Sequence, residues 1–343
     1  MNIHNHFSNC LLLLIIACLL SWTESPTKDS TKSIGSLNGE KEETITWAER
    51  LGYPKGKKVV ILHADDIGMC PEANISAKRQ LLSGNIQSCA VMMPCENAKE
   101  FIEWAKMNPD QDIGLHLTLT SEWQKYRWPG ITGHENTPGL HDEQEKLWHK
   151  VIQVALNASP TEVEEEIRAQ MNQSIEWGYR PDHIDTHMGT LYSNPKFTAA
   201  YLKMAEEFNI PAMVLDFNNP AIVEGFRAEG YPIDDEMIQV VNNYKLPKLD
   251  FFSSAPKGKT YEEKISKFKE LILSVPPGLI EIIFHPSELT DNLKTITGSW
   301  QQRSWEAQMF ADPDLIQFFK DQDLIFTNWK EIMKRFETIQ SEG

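Results

Sequence analysis

The stretch Lys58-Val59-Val60-Ile61-Leu62-His63-Ala64-Asp65-Asp66-Ile67-Gly68 decides how this chain folds. Residues 58–63 form a short apolar run with β-branched side chains, bounded by Gly56 and Gly68. Such a run reads as a fully buried strand. Its end turns polar, with two adjacent carboxylates. Outward from it, the pattern predicts a helix over 71–83 ending at Gly84 and a strand over 86–93 ending at Pro94. A helix over 98–108 stopped by Pro109 and a strand over 112–119 follow. This alternation is the signature of a parallel sheet with crossover helices.

The same alternation continues, less regularly. A short helix over 44–51 and a turn over 53–56 precede the first strand. Residues 120–140, rich in Trp, Gly and Pro, read as a long loop. Helices are expected over 143–154 and 161–177, the second with Thr161 as N-cap and Glu164 completing a capping box. A strand over 182–185, a helix over 195–208 and a strand over 212–215 come next. Residues 218–250 read as an insertion with one helix around 235–243, and 248–252 as a strand. Helix 261–273, strand 278–284, helices 305–310 and 313–320, strand 324–326 and helix 328–336 close the chain. There is no internal repeat. The order fits an α/β chain folded as one irregular (β/α) barrel, TIM-barrel-like, with a doubly wound open sheet as the alternative.

The bulk properties agree with one such domain. The chain has 343 residues, 41% hydrophobic and 24% charged, enough for a core that needs no disulfides. Its net charge of −16 argues against a nucleic-acid partner, which would call for a Lys/Arg surplus. Five cysteines, Cys10, Cys18, Cys70, Cys89 and Cys95, contain no CxxC pair, so neither a zinc knuckle nor a disulfide framework is indicated.

The N-terminus has a different character. The first 22 residues contain no Asp, Glu, Lys or Arg, and 11–20 is an apolar run of signal-peptide size. It is shorter than the roughly 20 apolar residues of a membrane span. Ile15-Ile16-Ala17-Cys18 resembles a lipoprotein cleavage box with Cys18 as the lipidated residue. An ordinary signal peptide cut near 21–25 fits equally well. Both mean export, to the periplasm or cell surface, the first with a membrane tether through Cys18. Residues 23–43 are mostly polar and read as a disordered linker, leaving 44–343 as the barrel domain.

In a parallel α/β fold, functional groups collect at the C-terminal ends of strands. Four predicted strand ends here deliver His or Asp from apolar interiors. They are His63-Ala64-Asp65-Asp66, Gly114-Leu115-His116-Leu117-Thr118, His183-Ile184-Asp185-Thr186-His187 and His285-Pro286-Ser287-Glu288. Each alone has a bland reading: Asp-Asp as a helix cap, His116 as a bonded core histidine, and His183, Asp185 and His187 as a polar loop. Together, imidazoles and carboxylates converging on one barrel mouth are the make-up of a catalytic metal site. Adjacent carboxylates on a strand point to opposite sides, so one can bind a metal while the other faces substrate. One Asp and two His leave positions for water and a substrate oxygen, and the free carboxylate can take the water's proton. A histidine across the site can protonate the leaving group. Asp65, Asp66, His116, His187 and His285 supply these parts.

These ordered motifs resemble those of the YdjC-like carbohydrate deacetylases, which include the chitooligosaccharide deacetylases. The likeness runs over about 57–336, on Ala64-Asp65-Asp66-Ile67-Gly68, Gly114-Leu115-His116-Leu117-Thr118, His183-Ile184-Asp185-Thr186-His187 and Phe284-His285-Pro286. It implies a (β/α) barrel that hydrolyses N-acetyl groups of amino-sugar oligosaccharides with one divalent metal, usually magnesium. It implies Asp66, His116 and His187 as metal ligands, Asp65 as general base and His285 as general acid. His183 is then a supporting residue, with Asp185 beside it. Ile67 stands where the family usually has Phe, and Met188-Gly189-Thr190 where chitooligosaccharide deacetylases carry further histidines. Two imidazoles and one carboxylate suit zinc or another transition metal better than magnesium.

Trp123, Tyr126 and Trp128, in the loop after the His116 strand, are candidates to stack on sugar rings or to anchor the loop. Arg303 either holds substrate or orients Asp65, or else forms a surface pair with Glu306. Glu288 is near enough in sequence to orient His285, while His134, His141 and His149 read as solvated. Two other functions stay open at this stage. One is a metal-dependent hydrolase of a phosphoester or another amide; the other is a non-catalytic glycan-binding surface protein.

Overall fold

A computed structural model describes residues 45–228 and 230–342. The expected leader, linker and Cys18 lie outside the described residues. The sheet contains β1 (Lys58–Ile67), β2 (Ser88–Val91), β3 (Ile113–Leu117), β4 (Ile184–Thr186), β5 (Phe251–Ser254), β6 (Gly278–Phe284) and β7 (Leu324–Phe326). Its order is β4-β3-β2-β1-β6-β5, every pairing is parallel, and β7 adds to the first residues of β1. Beyond the two ends of that path, single parallel bridges join Ile184 to Ala212 and Leu215 to Leu249, just ahead of β5. The backbone bonds Met213 N to Ile184 O (2.8 Å) and Leu249 N to Val214 O (2.7 Å) carry them. The sheet therefore curls into the irregular (β/α) barrel anticipated from the alternation.

β1 is the spine of this sheet because it is apolar enough to be buried along both faces. Residues 59–67 are all buried, and β6 pairs with it from Lys58 to Ala64. The helix Pro71–Ser83 begins with Pro at its first turn and stops at Gly84, whose φ of 71° is the left-handed cap that glycine accepts freely. Apolar faces of the flanking helices pack on the outside of the sheet, with Phe101, Ile102, Ile167, Phe197, Tyr201 and Phe268 all fully buried.

Several expectations are corrected. Residues 143–150 are not helical; the helix is Val151–Asn157. Asp142 Oδ1 accepts from the backbone N–H of Gln144 (2.9 Å) and Lys146 (3.2 Å), and this local turn competes with a helix there. The capping box of the next helix, Pro160–Glu176, is Ser159 with Glu162, not Thr161 with Glu164. Pro160 supplies the first helical position, while Glu164 pairs with Arg168 and Lys203. Residues 212–215 make only single bridges, so no full strand forms. The insertion holds two helices, Pro220–Ala228 and Asp235–Asn243, where one was expected. A helix Asp291–Ile296 precedes Trp300–Met309, which starts five residues before the expected 305. His141 is buried, not solvated: its Nε2 accepts from Gly130 N (2.9 Å) and its Nδ1 donates to Thr137 O (2.8 Å).

Candidate active site

The end of β1 is bent by its own backbone. Ala64 pairs with Cys89 but Ile67 with Val91, so β1 carries one extra residue in a bulge. Asp66 sits inside it with φ 62°, a left-handed conformation that Asp tolerates better than most residues. Gly68 follows with φ 87°, where a Cβ would lie 2.9 Å from Ala98 Cα. The bulge separates the two carboxylates into different surroundings, as the site requires.

Asp66 sits between a guanidinium and two imidazoles. Its Oδ2 accepts from Arg303 Nη2 at 2.6 Å. Its Oδ1 is buried, accepts no hydrogen bond among the described residues, and lies 3.4 Å from His116 Nε2 and 3.2 Å from His187 Nδ1. Each imidazole is held from behind by a carboxylate. Asp185 Oδ1 is 2.6 Å from His116 Nδ1, and Glu122 Oε2 is 3.0 Å from His187 Nε2. With those rear nitrogens donating, the forward nitrogens present lone pairs beside Asp66 Oδ1. This is how metal-binding histidines are ordinarily braced. The unpartnered oxygen and the two braced nitrogens fit a divalent ion, and Asp66, His116 and His187 would hold it.

The electrostatics follow from these pairings. Burial pushes the Asp66 carboxyl up, but the Arg303 charge outweighs it and holds the group well below the usual carboxylate range. Burial opposes the charged form of His116, yet Asp185 and Asp65 raise its pKa well above that of a free imidazole. His187 is pushed up to about 9, burial being overcome by Glu122 and Asp66. A cation at Asp66 would take the place of those protons.

Asp65 has different hydrogen-bond partners from Asp66, although its carboxylate stays close to His116 and Asp185. Its Oδ1 accepts from His63 Nδ1 at 2.8 Å, and its Oδ2 is 4.0 Å from His285 Nε2. Burial raises the Asp65 carboxyl, and the nearby His116 charge with the His63 hydrogen bond more than reverses that, keeping it ionised. The His285 side chain is 34% exposed at the mouth. Its backbone N–H donates to Glu306 Oε2 (2.7 Å), and Glu306 is in turn paired with the fully buried Lys264 (2.8 Å). Glu288, close to His285 in sequence, pairs with Arg79.

The remaining predicted residues divide. Arg303 is only 7% exposed and bonds Asp66, so it is neither a surface partner of Glu306 nor the holder of Asp65. Among the described residues its Nη1 has no hydrogen-bond partner. Trp123 lies under the Arg303 guanidinium (5.5 Å) and, like Tyr126, is half-buried. Trp128 is a packing anchor rather than a sugar platform: it is 3% exposed, edge-on to both other rings, with its indole N–H on Thr120 O. Asp185 supports His116, whereas His183 bonds His63, not Asp185. Sequence reasoning missed Glu122, His63 as a partner of Asp65, and Glu281. Glu281 lies inside β6, and its carboxyl is pushed up to about 7 by burial. Strand alternation puts His63 and Asp65 on one face, a signal that was available. A lone acid in an otherwise apolar strand was the corresponding signal for Glu281.

A parallel (β/α) barrel with a carboxylate–bis-imidazole cluster that could hold a metal ion and a second carboxylate at its mouth has the make-up of a hydrolase. Comparison with known proteins names the family. The YdjC-like protein family model matches residues 59–321, and the chain belongs to that family. It is 30% identical over 270 residues to a carbohydrate deacetylase of Thermus thermophilus, covering 77% of this chain and 89% of the relative. It is 22% identical over 272 residues to a carbohydrate deacetylase of Thermoanaerobacter pseudethanolicus, covering 79% and 98%. Among solved structures, an Enterococcus faecalis protein described as a cellobiose-phosphate cleavage protein shares the fold. The TM-score is 0.65 at 23% identity, over 80% of this chain and 98% of that one.

Proposed function

We propose that this protein is a metal-dependent carbohydrate deacetylase that hydrolyses N-acetyl groups of amino-sugar oligosaccharides. The observation that carries this reading is the separation of the two carboxylates, Asp66 among braced imidazoles and Asp65 beside His285. The relatives named carbohydrate deacetylases support the substrate class. A bound divalent ion supplies Lewis acidity, acidifying water and polarising a carbonyl. Two nitrogen donors and one oxygen favour a transition ion such as zinc, against the magnesium that the family resemblance suggests.

The chain's own residues perform the proton transfers. Asp65 Oδ2 takes a proton from water as its oxygen adds to the acetamide carbon. The C–N bond then breaks, His285 Nε2 donates a proton to the leaving nitrogen, and acetate and a free amine result. Arg303 fixes Asp66, and its unpartnered Nη1 is a donor for a substrate oxygen. Trp123 and Tyr126 are the rings available to a sugar. The apolar run 11–20 makes export part of the proposal, through a lipoprotein signal with Cys18 as the site of a lipid or through an ordinary signal peptide cut near 21–25.

The test is a panel of N-acetylated oligosaccharides beside nitrophenyl phosphate, assayed with the metal-loaded protein. Acetate release supports the reading. Phosphate-ester turnover without acetate release would move the protein to another hydrolase class, and no turnover together with no bound metal would leave a glycan-binding protein.

A further inference from the structure

The first histidine of His183-Ile184-Asp185-Thr186-His187 has no part in the mechanism above, yet the barrel is built around it. His183 is fully buried. A Cβ on Gly114 would come within 2.3 Å of its Nε2, so glycine at 114 is what leaves room for the ring. Trp329 lies nearly parallel to it, with ring centres 5.9 Å apart. The Trp329 indole is in turn fixed by Glu281 (2.8 Å). His183 Nδ1 forms no aligned hydrogen bond among the described residues but lies 3.0 Å from Asp112 Oδ1, an ion-pair contact, and Asp112 is anchored by Ser88 Oγ (2.6 Å) and Lys330 N (2.8 Å). On its other side, His183 Nε2 meets His63 Nε2 at 2.9 Å, and His63 Nδ1 donates to Asp65 (2.8 Å).

We infer that His63 is a positioning residue for Asp65, held in place by a buried chain that runs through His183 to Asp112 at the start of β3. This rests on Asp65 being the base. The chain pins Oδ1 so that Oδ2 faces His285 and the mouth, on a backbone that the bulge would otherwise leave loosely specified. The same groups admit a rival reading. His63, His183 and Asp185 are close enough to hold a second ion. However, 2.9 Å between ring nitrogens is a hydrogen-bond distance, whereas two nitrogens on one tetrahedral zinc stand about 3.3 Å apart.

The test compares His63→Asn with His63→Gln in the metal-loaded full chain. The Asn amide overlays Nδ1 and keeps a donor to Asp65; the Gln amide overlays Nε2 and keeps only the contact to His183. Positioning predicts a loss in kcat of about 10- to 100-fold for H63Q, with KM little changed and a smaller loss for H63N. A merely space-filling His63 would favour the larger Gln, so equal losses or the reverse order overturn the inference. Metal analysis should give one ion per wild-type chain; a second ion lost in both variants also overturns it. Independently of substrate, NMR of 15N-histidine-labelled protein should show an exchange-protected His63 Nδ1–H, and its absence sinks the chain. If no N-acetylated sugar is turned over, the deacetylase reading fails while that spectrum still decides the chain.

Discussion

Arg303 and the two braced imidazoles divide Asp66 between them, and each half of that division can be probed. Arg303→Ala removes the charge that bonds a buried carboxylate, and removing one partner of such a pair typically costs about 3–5 kcal/mol. Denaturant unfolding of the metal-free protein should show a loss of this order; a change under about 1 kcal/mol, the range of exposed pairs, would mean that the pair is not buried in solution. Glu122→Ala frees His187 Nε2 and should weaken metal binding about 10- to 100-fold, read by calorimetric titration, without unfolding the chain. At this scale the grouping of Asp65, Asp66, His116, His187 and His285 was legible, because each lies within a predicted strand or follows one closely. Glu122 was not, since it approaches His187 from a loop that no period describes. Arg303 carried only a helix spacing in the sequence, and the ion pair that defines it lies 237 positions away.

Elements were legible where burial or capping chemistry is local. β6 and β7 fall on the expected residues, being short apolar runs with sharp polar ends. The expected helix over 143–154 failed because Asp142 offers the backbone a competing turn, which residue type alone does not reveal. The cap of Pro160–Glu176 was displaced by two residues because Pro160 belongs inside the helix rather than before it. Ser159→Ala should therefore cost about 1 kcal/mol of stability by denaturant titration. Thr161→Ala, at an exposed position, should stay within about 0.5 kcal/mol. The opposite order would restore the cap read from sequence.

As a whole molecule, the barrel was legible from alternation. Its closure was legible in part: a strand was expected over 212–215, where only single bridges at Ala212 and Leu215 span the gap between β4 and β5. The site lies on β1, β3 and β4 and on the loop after β6, so it forms only when these strands are assembled. A metal should therefore bind the native state alone and raise the unfolding temperature. At 100 times Kd the stabilisation is about 2.7 kcal/mol, and chelation should reverse it. No shift with any divalent ion in a thermal melt would count against the centre. Asp65 as the base of a metal-dependent deacetylation can be probed in a single assay. Acetate release from an N-acetylated oligosaccharide is followed for metal-loaded wild type and Asp65→Asn, with metal content determined in both. Wild type should turn over, with a loss of about 10²- to 10⁴-fold in the variant at undiminished metal content. Equal turnover by the two proteins would rule out Asp65 as the base.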